Sequence, residues 1–151
     1  MRILLQRVDR ASVSIDGELY SAIDRGLCLF VGFTHSDNIE TLRKMADKVV
    51  KLRVFEDDKG KTNKSLLDVN GSILSVSQFT LYGNLKEGNR PSFVEAMGIE
   101  EAKSLFALWN NLLLERYKKV KTGVFQADMR IELVNDGPFT LILDSKELFN
   151  L

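Results

Sequence analysis

The sequence has little of what catalytic and metal centres are usually built from, because it contains one cysteine and one histidine. A single cysteine excludes an internal disulfide, and there is no Cys/His cluster that could hold zinc. Cys28 stands in the apolar run Leu27–Val31, which predicts a buried, unreactive thiol. His35 lies in the polar segment Thr34–Asp37, whose Ser and Asp are too close in sequence to be assumed triad partners, so we interpret it as a loop residue. Phosphate-binding glycine motifs are also missing, and we predict neither a metal nor a cofactor.

Long hydrophobic runs and a net charge are missing too. No apolar stretch approaches the roughly 18 residues that a membrane span needs, so no membrane segment is predicted. The N-terminal stretch meets Arg7 too early for the core of a signal peptide, which favours a cytoplasmic location. The 21 Lys and Arg residues balance 21 Asp and Glu residues. This balance argues against a protein that coats long nucleic acids, but not against one that grips a few nucleotides.

The composition is that of a globular protein, with 44% hydrophobic and 28% charged residues. A chain of 151 residues is long enough for a domain with a substantial core. There is no internal repeat, low-complexity segment or Pro/Ser-rich linker. We therefore predict a single domain over residues 1–151.

Hydrophobic patterns predict two helices and many strands. Asn38 is a suitable N-cap for a helix over residues 39–51, and a second helix is predicted from about Ile99 to Tyr117. The predicted strands are residues 2–8, residues 11–15, Glu18–Ile23, Leu27–Phe33, Arg53–Phe55, Ser72–Leu81, Val124–Gln126, Met129–Val134 and Phe139–Asp144. This pattern favours an α+β fold, namely a mixed, mainly antiparallel β-sandwich or barrel with two main helices.

The segment from Asn135 to Thr140 holds one of the two prolines of the chain, in a Gly137-Pro138 pair between two strand-like runs. Glycine tolerates backbone angles closed to other residues, and an X-Pro bond admits the cis form. Such a corner can aim two backbone carbonyls in one fixed direction. Asn, Asp, Gly and Pro are also ordinary turn residues, and on this segment alone a plain chain reversal is the favoured interpretation.

The segment Ser75–Leu81 is by itself typical of a strand with polar residues on one face. Ser77-Gln78-Phe79-Thr80-Leu81 and Asn135-x-Gly137-Pro138 together resemble the two signature motifs of the D-aminoacyl-tRNA deacylases. The likeness extends over nearly the whole chain. Four further runs resemble that family in the same order: Gln6–Val8, Arg10–Val13, Arg90–Phe93 and Thr122–Met129.

The resemblance implies a metal-free homodimeric hydrolase. Its substrate would be the aminoacylated 3′ end of tRNA, from which it releases a D-amino acid or glycine. Gly137-Pro138 would be a cis peptide that reaches into the pocket of the partner subunit. Its carbonyls would face the α-carbon of the substrate, so that an L side chain collides with them while a D side chain points away.

The resemblance also assigns roles to individual residues. Ser77, Gln78, Phe79 and Thr80 would line the pocket around the terminal adenosine and the ester, and Asn135 would belong to the substrate-binding corner. Backbone N–H groups of Phe79 and Thr80 would stabilise the oxyanion. The Thr80 hydroxyl is the one nearby candidate nucleophile, but the sequence supplies no evident base for it. The family picture lets the 2′-hydroxyl of the tRNA assist the attacking water instead.

Arg7 would act as the latch that holds the Gly-Pro corner in its cis form, as in the chirally strict branch of the family. Phe139 departs from the family pattern, where a smaller β-branched residue is usual. A bulky ring beside the corner is expected to alter its packing.

Two alternatives to a strict deacylase remain open at the level of the sequence. One is a module that binds tRNA ends without catalysis and keeps Phe79 and Gln78 as contacts. The other is the looser, animal branch of the family, which edits small mischarged residues and has a trans corner.

Overall fold

The computed structural model describes every residue from Met1 to Leu151. Its eight strands are β1 Arg2–Ile15, β2 Glu18–Ile23, β3 Gly26–Gly32, β4 Phe55–Glu56, β5 Thr62–Lys64, β6 Ser72–Ser77, β7 Val120–Thr122 and β8 Met129–Asp144. Its helices are α1 Ile39–Lys51, α2 Leu66–Val69, α3 Ile99–Arg116 and α4 Ser145–Phe149, with a 3₁₀ turn at Phe79–Tyr82.

Six of the strands form one curved sheet built around β1. This strand pairs with β3 through its first half and with β2 through its second half, while β8 pairs along its other edge. The β3–β6 and β6–β7 pairs are parallel and the rest are antiparallel. The Ser21 hydroxyl donates to the Thr122 carbonyl at 2.9 Å, so β2 approaches β7 and the sheet curls towards a barrel. The predicted α+β class, mixed but mainly antiparallel with two main helices, is confirmed.

Hydrophobic side chains pack on both faces of this sheet. The larger core lies between the sheet and helices α1 and α3. The indole N–H of Trp109 donates to the Ser75 hydroxyl at 3.1 Å inside it and ties α3 to β6. A smaller core lies within the curl of the sheet and consists of Val8, Ala11, Val13, Ile23, Cys28, Leu74 and Val76. Burial on both faces explains why β3 is apolar at nearly every position.

Helix α1 has the predicted bounds because its N-terminus is capped as its sequence indicates. The Asn38 side-chain oxygen accepts from the backbone N–H groups of Glu40 at 3.0 Å and Thr41 at 3.2 Å. Helix α3 ends at Arg116, whose guanidinium meets Asp47 of α1 at 2.6 Å. No helix is long and apolar enough to cross a membrane.

Several predicted strands have different limits in the structure. The strand expected over Ser72–Leu81 ends at Ser77. The Gln78 N–H still donates to the Val31 carbonyl of β3 at 2.7 Å, but the Gln78 carbonyl accepts from the Leu81 N–H at 3.4 Å and the chain enters the 3₁₀ turn. Residues 2–8 and 11–15 are joined in β1, and residues 129–134 and 139–144 are joined in β8. Because β1 and β8 pair with each other along most of their length, each continues as one strand through the register shifts between Gln6 and Arg10.

Two short predicted strands are wrong in position. Val124–Gln126 is a turn, closed by the Ala127 N–H bonding to the Val124 carbonyl at 3.2 Å, with Gln126 at a φ of 66°. The parallel partner of β6 is the preceding segment, Val120–Thr122. The strand predicted at Arg53–Phe55 is shifted to Phe55–Glu56, where β5 supplies its partner. The residue types in these segments do not specify which of them pair with a neighbouring strand.

Candidate active site

The main cavity of the molecule opens at the carboxyl ends of the parallel strands β3 and β6 and has a volume of about 710 Å³. Its walls are largely apolar. They come from the ends of these two strands, the segment before α3 with the first turn of that helix, and the segment that leads into β8. The lining includes Ser77, Gln78, Phe79, Phe93, Phe125, Gln126 and Asp128.

One wall is formed where β6 gives way to the 3₁₀ turn. Ser77 and Gln78 are partly buried, whereas Phe79 and Thr80 are exposed. The Gln78 side-chain amide donates to the Thr80 hydroxyl at 2.6 Å. No side chain caps the N-terminus of the turn. Because the first N–H groups of a helical turn have no acceptor within it, those of Phe79 and Thr80 suit an external acceptor.

Aromatic rings frame the mouth of the cavity. The Phe79 and Phe93 rings meet edge to face, with centroids 4.9 Å apart. Phe79 remains 56% exposed, so one face of its ring is free for a ligand. A flat base or ring can stack on such a face without sequence-specific hydrogen bonds.

The Gly-Pro corner lies elsewhere, as a bulge in the pairing of β1 with β8. Gln6 pairs with Thr140 and Val8 pairs with Asn135, so the residues between Asn135 and Thr140 stand opposite Arg7 alone. The Gly137–Pro138 peptide is cis, and both residues are exposed.

Asn135 braces the neck of this bulge. Its side-chain oxygen accepts from the Phe139 N–H at 2.7 Å. Its amide nitrogen donates to the Thr140 hydroxyl at 3.0 Å. The Asn135 side chain is therefore engaged within the bulge, and the two residues that project from the bulge are Gly137 and Pro138.

Arg7 lies directly beneath the corner and is 4% exposed. Its Nε donates to the Asp136 carbonyl at 3.2 Å and lies 3.1 Å from the Asp136 carboxylate. Its Nη1 donates to the Val54 carbonyl at 2.7 Å. The guanidinium also stacks over the Phe139 ring, 4.7 Å from its centroid. Phe139 thus packs under the corner, towards the larger core, and provides a contact for Arg7.

The structure brings only some of the predicted site residues together. Ser77, Gln78 and Phe79 line the cavity, and Thr80 lies next to them on the turn. The corner residues and Arg7 form a separate group outside the cavity of the same chain.

Sequence reasoning gave no role to several residues that line the cavity. Phe93 and Phe125 lie in runs of sequence that resemble the family, and this resemblance was the one signal that could have identified them as site residues. Asp128 is the only ionisable side chain in the lining, and its carboxylate meets the Arg130 guanidinium at 2.7 Å. A glutamine alone does not indicate a function, and Gln126 could be assigned to the cavity only from the folded structure.

The single histidine and the single cysteine of the chain do not line the cavity. The His35 ring nitrogen lies 2.8 Å from the Val94 carbonyl in an exposed loop. No group of three or more His, Cys, Asp or Glu side chains is placed to hold a metal ion.

Cys28 should be inert in the folded protein. It is completely buried, and burial raises the pKa of its thiol to about 12. We expect Ellman's reagent to label it very slowly at pH 8 and rapidly in guanidinium chloride. Since an unfolded thiol ionises near pH 9 while the buried thiol stays neutral, Cys28 should lower the free energy of unfolding above that pH. Fast, complete labelling of the native protein would contradict its burial.

Comparison with known proteins decides the family. The family model described as D-Tyr-tRNA(Tyr) deacylase matches residues 4–144. The chain belongs to the D-aminoacyl-tRNA deacylase family. A D-aminoacyl-tRNA deacylase of Lactobacillus gasseri is 53% identical over 144 residues, which cover 95% of this chain and 99% of the relative. That of a Geobacillus species is 50% identical over 147 residues, covering 97% of each chain.

A solved structure agrees with this assignment at the level of the fold. The structure described as c-Myc DNA Unwinding Element Binding Protein superimposes with a TM-score of 0.91. It is 41% identical to this chain and covers 95% of it and 98% of its own length. The family expected from the two motifs is confirmed. As a D-aminoacyl-tRNA deacylase, the protein is a hydrolase that acts on the ester bond of D-aminoacyl-tRNA.

Proposed function

We propose that this deacylase, a single domain over residues 1–151 that acts in the cytoplasm, discriminates by chirality with the Gly137-Pro138 corner of a partner subunit. The corner enters the cavity beside Phe79 and presents backbone carbonyls to the α-carbon of the amino acid. An L side chain is excluded by contact with these carbonyls, and a D side chain points away from them. Glycine has no side chain to exclude, so glycyl-tRNA is also hydrolysed.

The main observation behind this proposal is that the Gly-Pro corner is exposed while the side chain that holds it from below is buried. Gly137 and Pro138 are exposed and lie outside the main cavity of their own chain, while Arg7 beneath them is almost fully buried. A projecting segment held from below is suited to fit a complementary cavity. The main cavity of the fold is lined by the other family motif, on a different part of the same chain.

The sheet surface next to the corner supports a homodimer. Leu4 pairs with Ile142, and Gln6 pairs with Thr140. Ile142 is 70% exposed, and Leu4 and Gln6 are only partly covered. In addition, β8 pairs with no strand on its outer edge. An uncovered apolar face and a free strand edge are features that a second copy can cover.

The cavity suits the acylated terminal adenosine of tRNA. The base can stack against the exposed face of Phe79, and the partly buried Ser77 and Gln78 supply polar contacts for the ribose and ester. In this proposal the N–H groups of Phe79 and Thr80 stabilise the oxyanion, and one such preorganised donor is typically worth about 2.7–4 kcal/mol in an enzyme.

The attacking group is a water molecule assisted by the 2′-hydroxyl of the tRNA. Water adds to the ester carbonyl to give a tetrahedral oxyanion, which collapses to a free D-amino acid and a tRNA with a free 3′ end. The proton taken from the water is balanced by the one delivered to the leaving ribose oxygen. This route requires no side-chain base, and the cavity offers only Asp128, which is exposed and paired with Arg130.

A deacylation assay tests the proposed function. Purified protein should hydrolyse D-Tyr-tRNA and leave L-Tyr-tRNA intact in the presence of a chelator. Binding of both without hydrolysis would favour the module that only grips tRNA ends. Hydrolysis of small mischarged L-residues in preference to D-Tyr would favour the looser branch.

Removing the Thr80 hydroxyl should leave substantial activity. Thr80→Val retains the shape of the side chain, and we expect kcat to stay within about tenfold, whereas a positioned general base or acid contributes typically about 10²–10⁴-fold. The reason is that Thr80 accepts a hydrogen bond from the Gln78 amide, which cannot take its proton. Single-turnover deacylation of D-Tyr-tRNA measures the effect.

Asp128→Asn is the companion variant, because Asp128 is the alternative base within the lining. It should also retain activity. Complete loss in Thr80→Val, with normal folding and tRNA affinity, would contradict this prediction and favour covalent catalysis. A comparable loss in Asp128→Asn would assign a carboxylate base to the reaction.

A further inference from the structure

The segment of residues 84–92, here termed the rim loop, leaves and re-enters the wall of the cavity. It follows the 3₁₀ turn that carries Phe79 and leads directly into Phe93, and these two rings touch. Asn84 and Ser92 close its base with two backbone hydrogen bonds of 2.8 and 2.9 Å. The Asn84 side chain accepts from the Lys86 N–H at 2.9 Å. The base of the rim loop is therefore fixed to the mouth of the cavity.

The rest of the rim loop projects into solvent and carries positive charge. Every residue from Leu85 to Ser92 is exposed. Lys86 and Arg90 take part in none of the ion pairs of the chain, which are formed by other residues. Glu87 is the one acidic residue of the rim loop, so the loop has a net charge of +1.

The cavity itself has no cation to offer. Its lining contains a single ionisable side chain, Asp128, which is an anion already paired with Arg130. A nucleotide bound there would carry its phosphate out to the rim. Two cations near the cavity are already paired, Arg130 with Asp128 and Arg2 with Asp144. The unpaired cations on the loop that continues this wall are Lys86 and Arg90. Sites for single-stranded nucleic acid combine aromatic stacking surfaces with cations that follow the backbone, and this pairing is present here.

We propose that Lys86 and Arg90 bind the phosphates of the unpaired 3′ end of tRNA that lead to the terminal adenosine in the cavity. This rests on the proposed function, since it takes the acylated adenosine to occupy the space beside Phe79. The rim loop contributes affinity for the nucleic-acid part of the substrate and does not touch the ester. Its net charge is small, which is consistent with a grip on a few phosphates in a protein that has no net charge.

Kinetics with D-Tyr-tRNA and with a substrate that lacks phosphate distinguish phosphate binding by the rim loop from a role in catalysis. For the double variant Lys86→Ala/Arg90→Ala, we expect KM for D-Tyr-tRNA to rise about tenfold with kcat nearly unchanged. The slope of log KM against log salt should fall by about 0.7 for each cation removed, the value for single strands. With D-Tyr-adenosine ester, which has no phosphate, the double variant and the unmodified protein should have equal kcat/KM.

Lys48→Ala/Lys51→Ala is the matched control, because it also removes two exposed cations. Both residues lie in the last turn of α1. That end of α1 meets the C-terminal end of α3 through Asp47 and Arg116. The cavity adjoins the other end of α3, and 18 residues of helix span about 27 Å. KM for D-Tyr-tRNA should not change in this control.

The result also remains interpretable if the proposed function fails. Filter binding of uncharged tRNA measures the phosphate contact without any hydrolysis. Weaker binding by the rim-loop variant than by the α1 control supports the contact even if no D-Tyr-tRNA is cleaved. Equal binding by the two variants, or an equal loss of activity on D-Tyr-adenosine and D-Tyr-tRNA, would overturn it. Unchanged thermal midpoints establish that both variants are folded.

Discussion

Replacing Gly137 by alanine should lower kcat/KM for D-Tyr-tRNA by about 100-fold, the usual effect of misplacing a group in an active site by about 1 Å. Gly137 has a φ of 131°, which L-residues rarely adopt. A methyl group there would lie 3.1 Å from the Arg7 guanidinium and 3.2 Å from the Phe139 nitrogen. The corner must therefore shift, and its carbonyls with it. Steady-state deacylation kinetics give the loss directly.

Gly60→Ala is the matched control for this prediction. Gly60 also has a positive φ, of 73°, but nothing lies within 4 Å of the position that its Cβ would take. Both substitutions place an L-residue at a positive φ, which costs of order 1–3 kcal/mol of stability. Only the change at Gly137 should reduce activity. Equal kinetics for the two variants would mean that the corner makes no close approach to the substrate.

Replacing Arg7 by glutamine should weaken the rejection of L-Tyr-tRNA more than it weakens hydrolysis of D-Tyr-tRNA. The substitution removes the bonds to Asp136, the stacking on Phe139 and the donor for the buried Val54 carbonyl. Leaving such a buried group unpaired costs about 1–3 kcal/mol. If the whole of that energy orients the corner, the ratio of kcat/KM for the D and L substrates falls by about 5- to 150-fold.

Arg25→Gln is the matched control for Arg7→Gln. Arg25 also stacks on an aromatic ring, 5.3 Å from the centroid of Phe55, but it makes no contact with the corner. Its loss should leave the D/L ratio unchanged. Arg7 would lose its assigned role if Arg7→Gln hydrolysed D-Tyr-tRNA and rejected L-Tyr-tRNA as the unmodified protein does.

The sequence predicted those elements whose signals are local. Helix α1 has the predicted bounds because its apolar face and the Asn38 cap both lie within it or next to it. The end of β6 was predicted wrongly because no glycine or proline marks the start of the 3₁₀ turn at Phe79–Tyr82. The turn at Val124–Gln126 was likewise mistaken for a strand, since β-branched and aromatic residues suit both a strand and an apolar cavity wall.

The candidate site was predictable only where its residues are neighbours in the sequence. Ser77, Gln78 and Phe79 are consecutive, so one motif places them together on the wall of the cavity. Asp128 and Phe93 reach the same cavity from distant parts of the chain, and only the curl of the sheet brings them there. The resemblance to the family pointed to Arg7 as the support under the corner. Its anchor, the Val54 carbonyl, was beyond a single sequence because it belongs to a segment with no motif.

A crystal structure with a non-hydrolysable amide analogue of D-tyrosyl-adenosine tests chiral exclusion by the corner most directly. We predict a two-fold dimer in which the adenine stacks beside Phe79 and the Gly137 carbonyl of the other subunit contacts the α-carbon of the ligand. A ligand bound in this cavity with both corners remote from it, in solvent, would contradict the account.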